Sequence, residues 1–311
     1  MGRSSSWLLG RSMAGHPQQR TAQVNGIDLC FFEWRATEAS AGTTLLVHAT
    51  GFHARCWDRT VEHLQGHVIA VDMRGHGRSS KIPPYGWDAF GEDVTALLAQ
   101  LDLRGVVAVG HSMGGHSVTQ AAARMPDRIA RLVLVDPVIM APERYTEVGQ
   151  WGGLREANDH PTSKRREHWA SAEEMYQRFH DRRPFSAWRP DVLRDYCEWG
   201  LLPDPAGAGF VLACPPLVEA SIYMGSSSLD IYDQIDTVAC PVTVLRAPSR
   251  EEGDGVMDFS KSPTWAGLAG RFRNGKDVFL AQHTHFIPME DPQLTASYIA
   301  NPLANHINAA R

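Results

Sequence analysis

Ser112 stands in the run Val109-Gly110-His111-Ser112-Met113-Gly114, which has the pattern G-x-S-x-G. A serine hydroxyl is a weak nucleophile until an adjacent base takes its proton. The base in turn needs a carboxylate to hold its tautomer, and the developing oxyanion needs aimed N–H donors. The apolar run Val106 to Val109 precedes Ser112 and a helix-forming run from Met113 to Met125 follows, so the serine falls on a strand-to-helix bend. Such a bend pushes the hydroxyl out, and glycines on both flanks remove side chains that would clash there. The helix start also points free N–H groups toward the place where an oxyanion would form.

A base must come from among fourteen histidines. His285 has the right setting, just past the strand-like Val278 to Ala281 and just before a helix. From there its imidazole can reach Ser112 and remove the hydroxyl proton. His283 is the near competitor. The His283-x-His285 pair lacks the acidic or cysteine partners of a zinc site, so no metal is expected there, and nucleophilic chemistry on a serine requires no cofactor. His111 and His116 beside the bend read as packing or hydrogen-bonding groups, and His76 as part of a structural turn.

The elements that must position these residues alternate along the chain. Residues 21–34 read as a hairpin turning at Asn25-Gly26. Short apolar strands follow at Thr44 to His48, Val68 to Asp72, Gly105 to Gly110, Leu132 to Val135, Val242 to Arg246 and Val278 to Ala281. Helical spacing lies between them at Trp57 to Leu64, Trp87 to Leu101 and Met113 to Met125, and again at Leu294 to Ile307. Short, continuously apolar strands alternating with helices predict a parallel sheet covered on both faces, with ligands at the strands' carboxyl ends. Residues 139–238 break the rhythm. They hold no convincing parallel strand, a capping-box pattern at Ser171-Ala172-Glu173-Glu174 and a helical spacing over Asp191 to Leu201. This stretch reads as an inserted helical cap, with the core in residues 21–138 and 239–311 and a disordered extension in 1–20.

Composition narrows the function. A formal charge of −5 over 311 residues gives no basic field for nucleic acid. No apolar run approaches the roughly 20 residues of a membrane span. Five scattered cysteines fit buried free thiols in a reducing compartment, and the chain reads as cytoplasmic.

Four motifs in order resemble the α/β-hydrolase superfamily over about residues 21–307. They are His48-Ala49-Thr50-Gly51, Asp72-Met73-Arg74-Gly75-His76-Gly77-Arg78-Ser79, the Ser112 bend, and His285-Phe286-Ile287-Pro288-Met289-Glu290-Asp291-Pro292. The resemblance implies an α/β fold with a mostly parallel eight-stranded sheet flanked by helices. It implies an oxyanion hole from the N–H groups of Met113 and Thr50, with Gly51 as alternate. Alanine at 49, where the family has glycine, counts against lipases with an extended glycine run. For the acid the resemblance offers two places. Asp136, locked by Pro137 after the sixth strand, is favoured. Glu251, after the seventh strand in a glycine-studded loop, is the alternative, with Glu252, Asp254 and Asp258 behind it.

The reaction this implies is hydrolysis of a carboxylic ester or lactone through an acyl-enzyme on Ser112, with a small-molecule substrate. A serine at this position argues against the dehalogenase and epoxide hydrolase branches, whose nucleophile is a carboxylate. The same residues also serve C–C hydrolases, amidases, perhydrolases and acyltransferases. From another class, the fold serves as a slow-turnover or non-catalytic ligand receptor, against which the Ser112–His285 pair speaks. Phe52 and Trp57 are candidates for the acyl pocket or the core, and Arg55 and Arg74 for a charged substrate.

Overall fold

The computed structural model describes residues 15–146, 154–250 and 260–300. Strands β1 (Gln18–Val24) and β2 (Ile27–Trp34) form an antiparallel hairpin. Asn25 and Gly26 turn it with φ of 47° and 77°, the left-handed pair that a two-residue hairpin loop requires. The extension expected through residue 20 therefore ends earlier, because Gln18, Gln19 and Arg20 pair with Glu33, Phe32 and Phe31. These three residues are exposed on an edge strand, so no apolar alternation marked them.

The chain continues through β3 (Thr43–Val47), α1 (Asp58–Val61), β4 (His67–Val71), α2 (Trp87–Gln100), β5 (Val106–His111), α3 (Met113–Arg124) and β6 (Ile129–Val135). Eight strands make the main sheet, in the order β1-β2-β4-β3-β5-β6-β10-β11, where β10 is Val242–Arg246 and β11 is Gly275–Phe279. Every pair from β4 onward is parallel. The inner strands β5 and β6 are apolar on both sides because both faces are covered. Val106 and Ala108 of β5 join one core with Leu132 and Leu134 of β6, while Val109, Val133 and Val135 join the core on the other side.

Register decides where the chemistry goes. His111, the last residue of β5, sits opposite Val135, the last of β6. The next residues, Ser112 and Asp136, thus leave neighbouring strands at the same level, about 4.8 Å apart in the sheet direction. Both turn sharply, with φ of 57° and 44°.

Between β6 and β10 the insertion carries α4 (Ala172–Phe179), α5 (Pro190–Trp199), α6 (Pro216–Met224) and α7 (Tyr232–Ile235). It is not wholly helical as expected. β7 (His168–Trp169), β8 (Leu201–Pro203) and β9 (Phe210–Leu212) form a small antiparallel sheet. Strands of two or three residues are too short to show a period in sequence. At α4 the Ser171 hydroxyl accepts the Glu174 N–H at 3.1 Å. The Glu174 carboxylate reaches back to the Ala170 N–H at 2.9 Å, one residue before the position a capping box would use. Trp169, Met175, Trp188, Leu193 and Tyr196 of the insertion pack with Ala49, Phe52 and Phe286 from loops at the sheet's carboxyl end. Trp151 lies outside the described residues. The chain closes through α8 (Ile287–Glu290) and α9 (Pro292–Ala300). Among the described residues no helix is long and apolar enough to cross a membrane.

Candidate active site

Ser112 occupies an unusual backbone position, φ 57° and ψ −117°, between β5 and α3. Holding a non-glycine residue there costs on the order of 1–3 kcal/mol and needs rigid surroundings. Those surroundings are backbone. The Ser112 N–H donates to Val135 O at 3.0 Å, and Ser112 O accepts from Gly115 and Val138. A Cβ on Gly110 would lie 2.2 Å from Gly114 O, and one on Gly114 would lie 2.3 Å from Val47 O. The flanking glycines are there because strand and helix cross at backbone contact.

The Ser112 hydroxyl lies 3.0 Å from His285 Nε2, and His285 Nδ1 lies 2.7 Å from Asp136 Oδ2. With its proton on Nδ1, the imidazole donates to the carboxylate and accepts from the serine, the arrangement a general base needs. Asp136 is fully buried, and Ser112 and His285 are only 5% and 8% exposed. The other Asp136 oxygen accepts from the Ala247 N–H at 3.0 Å and the Ser262 hydroxyl at 2.6 Å. The carboxylate is therefore fixed from β10 and from the segment that follows it. Ser262 gave no sequence signal, because it lies 126 residues from the carboxylate it holds.

The position of His285 is also built from its own loop. The Glu290 carboxylate accepts the Thr284 N–H at 3.0 Å and its hydroxyl. The His285 N–H donates to Ser260 O at 2.8 Å, and the His285 carbonyl accepts from His111 Nε2 at 2.8 Å. His111 is thus a hydrogen-bonding group, as expected, and it ties the bend to the histidine loop. His116 pairs with Gln120 inside α3. His285, not His283, meets the serine. Glu251, Glu252, Asp254 and Asp258 lie outside the described residues, and Asp136 occupies the His285 Nδ1.

The loop after β3 is held by the Asp72–Ser79 turn. His48 Nε2 accepts the Met73 N–H at 2.9 Å while its Nδ1 donates to Ala49 O at 2.7 Å. His76 Nε2 accepts the Gly51 N–H at 3.0 Å, and its Nδ1 donates to Arg74 O. Asp72 accepts the N–H groups of Ala54 at 2.7 Å and Arg78 at 2.8 Å. Gly77, at φ 49°, has to be glycine because a Cβ would meet the Asp72 carboxylate at 2.1 Å. Burial holds the His48 ring down at about 4 and the His76 ring well below the usual histidine range. Neutral rings are what their acceptor roles require.

This network separates the two oxyanion candidates in the loop. The Gly51 N–H is committed to His76. Thr50 faces the cavity beside Ser112, and Met113 heads α3, where first-turn N–H groups lack intrahelical partners.

The cavity over Ser112 measures about 800 Å³ counting its open mouth and the solvent in it. Trp87, Val138, Met140, Phe52 and Phe286 give it apolar walls. Trp57 is instead fully buried in the core. Neither arginine considered for a charged substrate reaches the cavity. Arg55 pairs with Asp58 and stacks 3.8 Å over the Trp199 ring. Arg74 is bound to Asp93 at 2.7 and 2.8 Å. The cavity's cations are Arg144, Arg250 and Lys261, which carried no motif.

A nucleophile bend, a histidine and a buried acid at the carboxyl ends of a parallel sheet define a class, and comparison with known proteins gives the family. The alpha/beta hydrolase family profile matches residues 44–298, and the chain belongs to that family. It is similar to Lipase LipV of Mycobacterium tuberculosis, 44% identical over 99 residues, 30% of this chain and 37% of that one. It is also similar to the bifunctional esterase/perhydrolase DCH of Acinetobacter calcoaceticus, 33% identical over 119 residues, 37% of this chain and 42% of that one. The matches thus span well under half the length of these relatives. Among solved structures, E-2-(acetamidomethylene)succinate hydrolase superposes with a TM-score of 0.71 at 21% identity, covering 91% of this chain and 98% of that one. That likeness is one of fold. Family and relatives together support a hydrolase.

Proposed function

We propose that this chain is a serine hydrolase that cleaves a carboxylic ester or lactone through an acyl-enzyme on Ser112. The observation that carries the reading is the hydrogen-bonded run from the Ser112 hydroxyl through His285 to Asp136, 3.0 and 2.7 Å, opening on the cavity.

In this reading the Ser112 oxygen attacks the carbonyl carbon as its proton passes to His285 Nε2. The Met113 and Thr50 N–H groups receive the oxyanion, each worth roughly 3–4 kcal/mol to the transition state. Collapse expels the alcohol, which leaves with the proton from His285. Water then enters, gives its proton to His285 and releases the acid, restoring Ser112. Asp136 stays ionised and stabilises the imidazolium at both stages. Residues 139–238 act as a cap, since Met140, Arg144, Tyr223 and Ser226 complete the cavity wall. The free cysteines, four of the five buried, fit a reducing compartment such as the cytoplasm.

The test is turnover of p-nitrophenyl acetate and butyrate by wild type and Ser112→Ala. The expected result is Ser112-dependent release of p-nitrophenol, reduced by roughly 10⁶ in the variant. Tight ligand binding with no release of p-nitrophenol by wild type would replace the enzyme with a receptor.

A further inference from the structure

The cavity over Ser112 is lined by two chemically different sets of residues. Trp87, Val138, Met140 and Phe286 line one apolar region, and Arg144, Arg250 and Lys261 bring three positive charges. No Asp or Glu is among the described residues that line it. The cations come from two places in the chain: Arg144 from the short helical turn Pro142–Tyr145 after β6, and Arg250 and Lys261 from the connection between β10 and the helical turn Leu268–Arg271. Composition does not account for this, because the whole chain is acidic at −5.

We propose that the substrate is an anionic ester or lactone, whose carboxylate is held by Arg144, Arg250 and Lys261 while its carbonyl faces Ser112. This rests on the hydrolase reading and names the substrate class of that same site. Arg144 and Arg250 are exposed and Lys261 is half-buried, so the anion sits toward the mouth and the reacting carbonyl sits deeper. All three cations also interact within the protein. A guanidinium has five N–H donors and an ammonium three. The planar guanidinium fork also matches a carboxylate's two oxygens. Three cations at a cavity mouth would also raise the local concentration of anionic esters, an effect that salt screens.

Two p-nitrophenyl esters that differ at one end test this. One is p-nitrophenyl hemiadipate, with a free terminal carboxylate. The other is the same compound with that carboxylate capped as a methyl ester. Wild type is expected to favour the free acid in kcat/KM by about tenfold at low salt, with the preference shrinking as sodium chloride is added. In the triple variant Arg144→Gln, Arg250→Gln, Lys261→Gln the ratio of the two kcat/KM values is expected to fall to about one. Labelling by a neutral fluorophosphonate confirms that the variant's site is assembled. A p-nitrophenyl alkyl phosphate diester of matching length, inert to acyl transfer, is included as an inhibitor, and its strength against adipate separates phosphate from carboxylate as the preferred anion. Equal use of the two esters by wild type, or a preference that survives in the triple variant, overturns the proposal while the hydrolase reading stands. Failure to turn over either ester, with no fluorophosphonate labelling, removes the hydrolase reading itself.

Discussion

The strand ends that carry Ser112 and Asp136 and the wall that carries Arg144, Arg250 and Lys261 face one cavity but are built differently. The first is buried and set by backbone register: His111 lies opposite Val135, so the next residue on each strand falls at the same height. Its supports are backbone groups, neutral histidines and a carboxylate held by Ala247 and Ser262. The second is assembled from connecting segments, two of its three cations exposed. A side chain on a register position cannot move without moving the sheet, whereas a side chain on a connection can be exchanged at little cost to the fold. In the proposed reading, reaction chemistry and substrate choice thus fall to parts of the molecule with different tolerance to change.

The largest test of that contrast is Asp136→Asn, which keeps the shape of the site and removes the charge that fixes the His285 tautomer. A fall in kcat of roughly 10⁴ is expected, while Glu251→Gln should leave kcat within about twofold. The reverse order of effects would move the acid to the loop after β10.

Next in size are the glycines. Gly114→Ala places a methyl 2.3 Å from the Val47 carbonyl, and overpacking of this kind costs about 1–3 kcal/mol. Thermal melts should report a lower Tm, and kcat should fall as well because α3 supplies the Met113 N–H. A variant with native Tm and full activity would contradict the close backbone crossing.

The buried histidines predict an acid-sensitive fold. Burial holds His48 and His116 at about 4 and His53 at about 3, with His76 and His111 also well below the usual value. Above pH of about 6.5 these rings are neutral in folded and unfolded chains alike, so they add no pH dependence. Between about 6.5 and 4 the unfolded chain takes up protons that the folded chain refuses, so stability declines as the pH falls. Each such ring contributes a slope of about 1.4 kcal/mol per pH unit. Urea unfolding at pH 7.5, 6 and 5 should show the decline, and His116→Gln should flatten it by one proton. A stability that is constant from pH 7.5 to 5 would contradict the neutral network.

The smallest effect belongs to the cavity wall. Arg144→Gln alone should lower the preference for a free carboxylate over its methyl ester by about threefold, since single exposed charges contribute little. Loss of the whole preference in this one variant would mean that a single arginine, and not three cations, holds the anion.

The same contrast decides what could be read in the sequence. Ser112 was legible from the bend after an apolar strand and His285 from the loop before a helix, whereas Asp136 came only from the resemblance, beside Glu251. Strand ends in a parallel sheet share one edge, which is why the three could meet. The Asp72–Ser79 motif was legible as a turn, but not as the brace whose His76 ring takes the Gly51 N–H and so leaves Thr50 for the cavity. Ser262, Arg144 and Lys261 lie on connections with no period, and only tertiary contact gives them a place. The three short strands of the insertion and the polar start of β1 were hidden for the related reason that they bury too little to leave a pattern.

The most direct measurement is intact mass and peptide mapping after reaction with a fluorophosphonate at neutral pH. One adduct per chain on Ser112, forming at least a hundredfold more slowly in His285→Ala, is the predicted result. An unlabelled Ser112, or an adduct that forms equally fast without His285, would contradict an activated nucleophile at the end of β5.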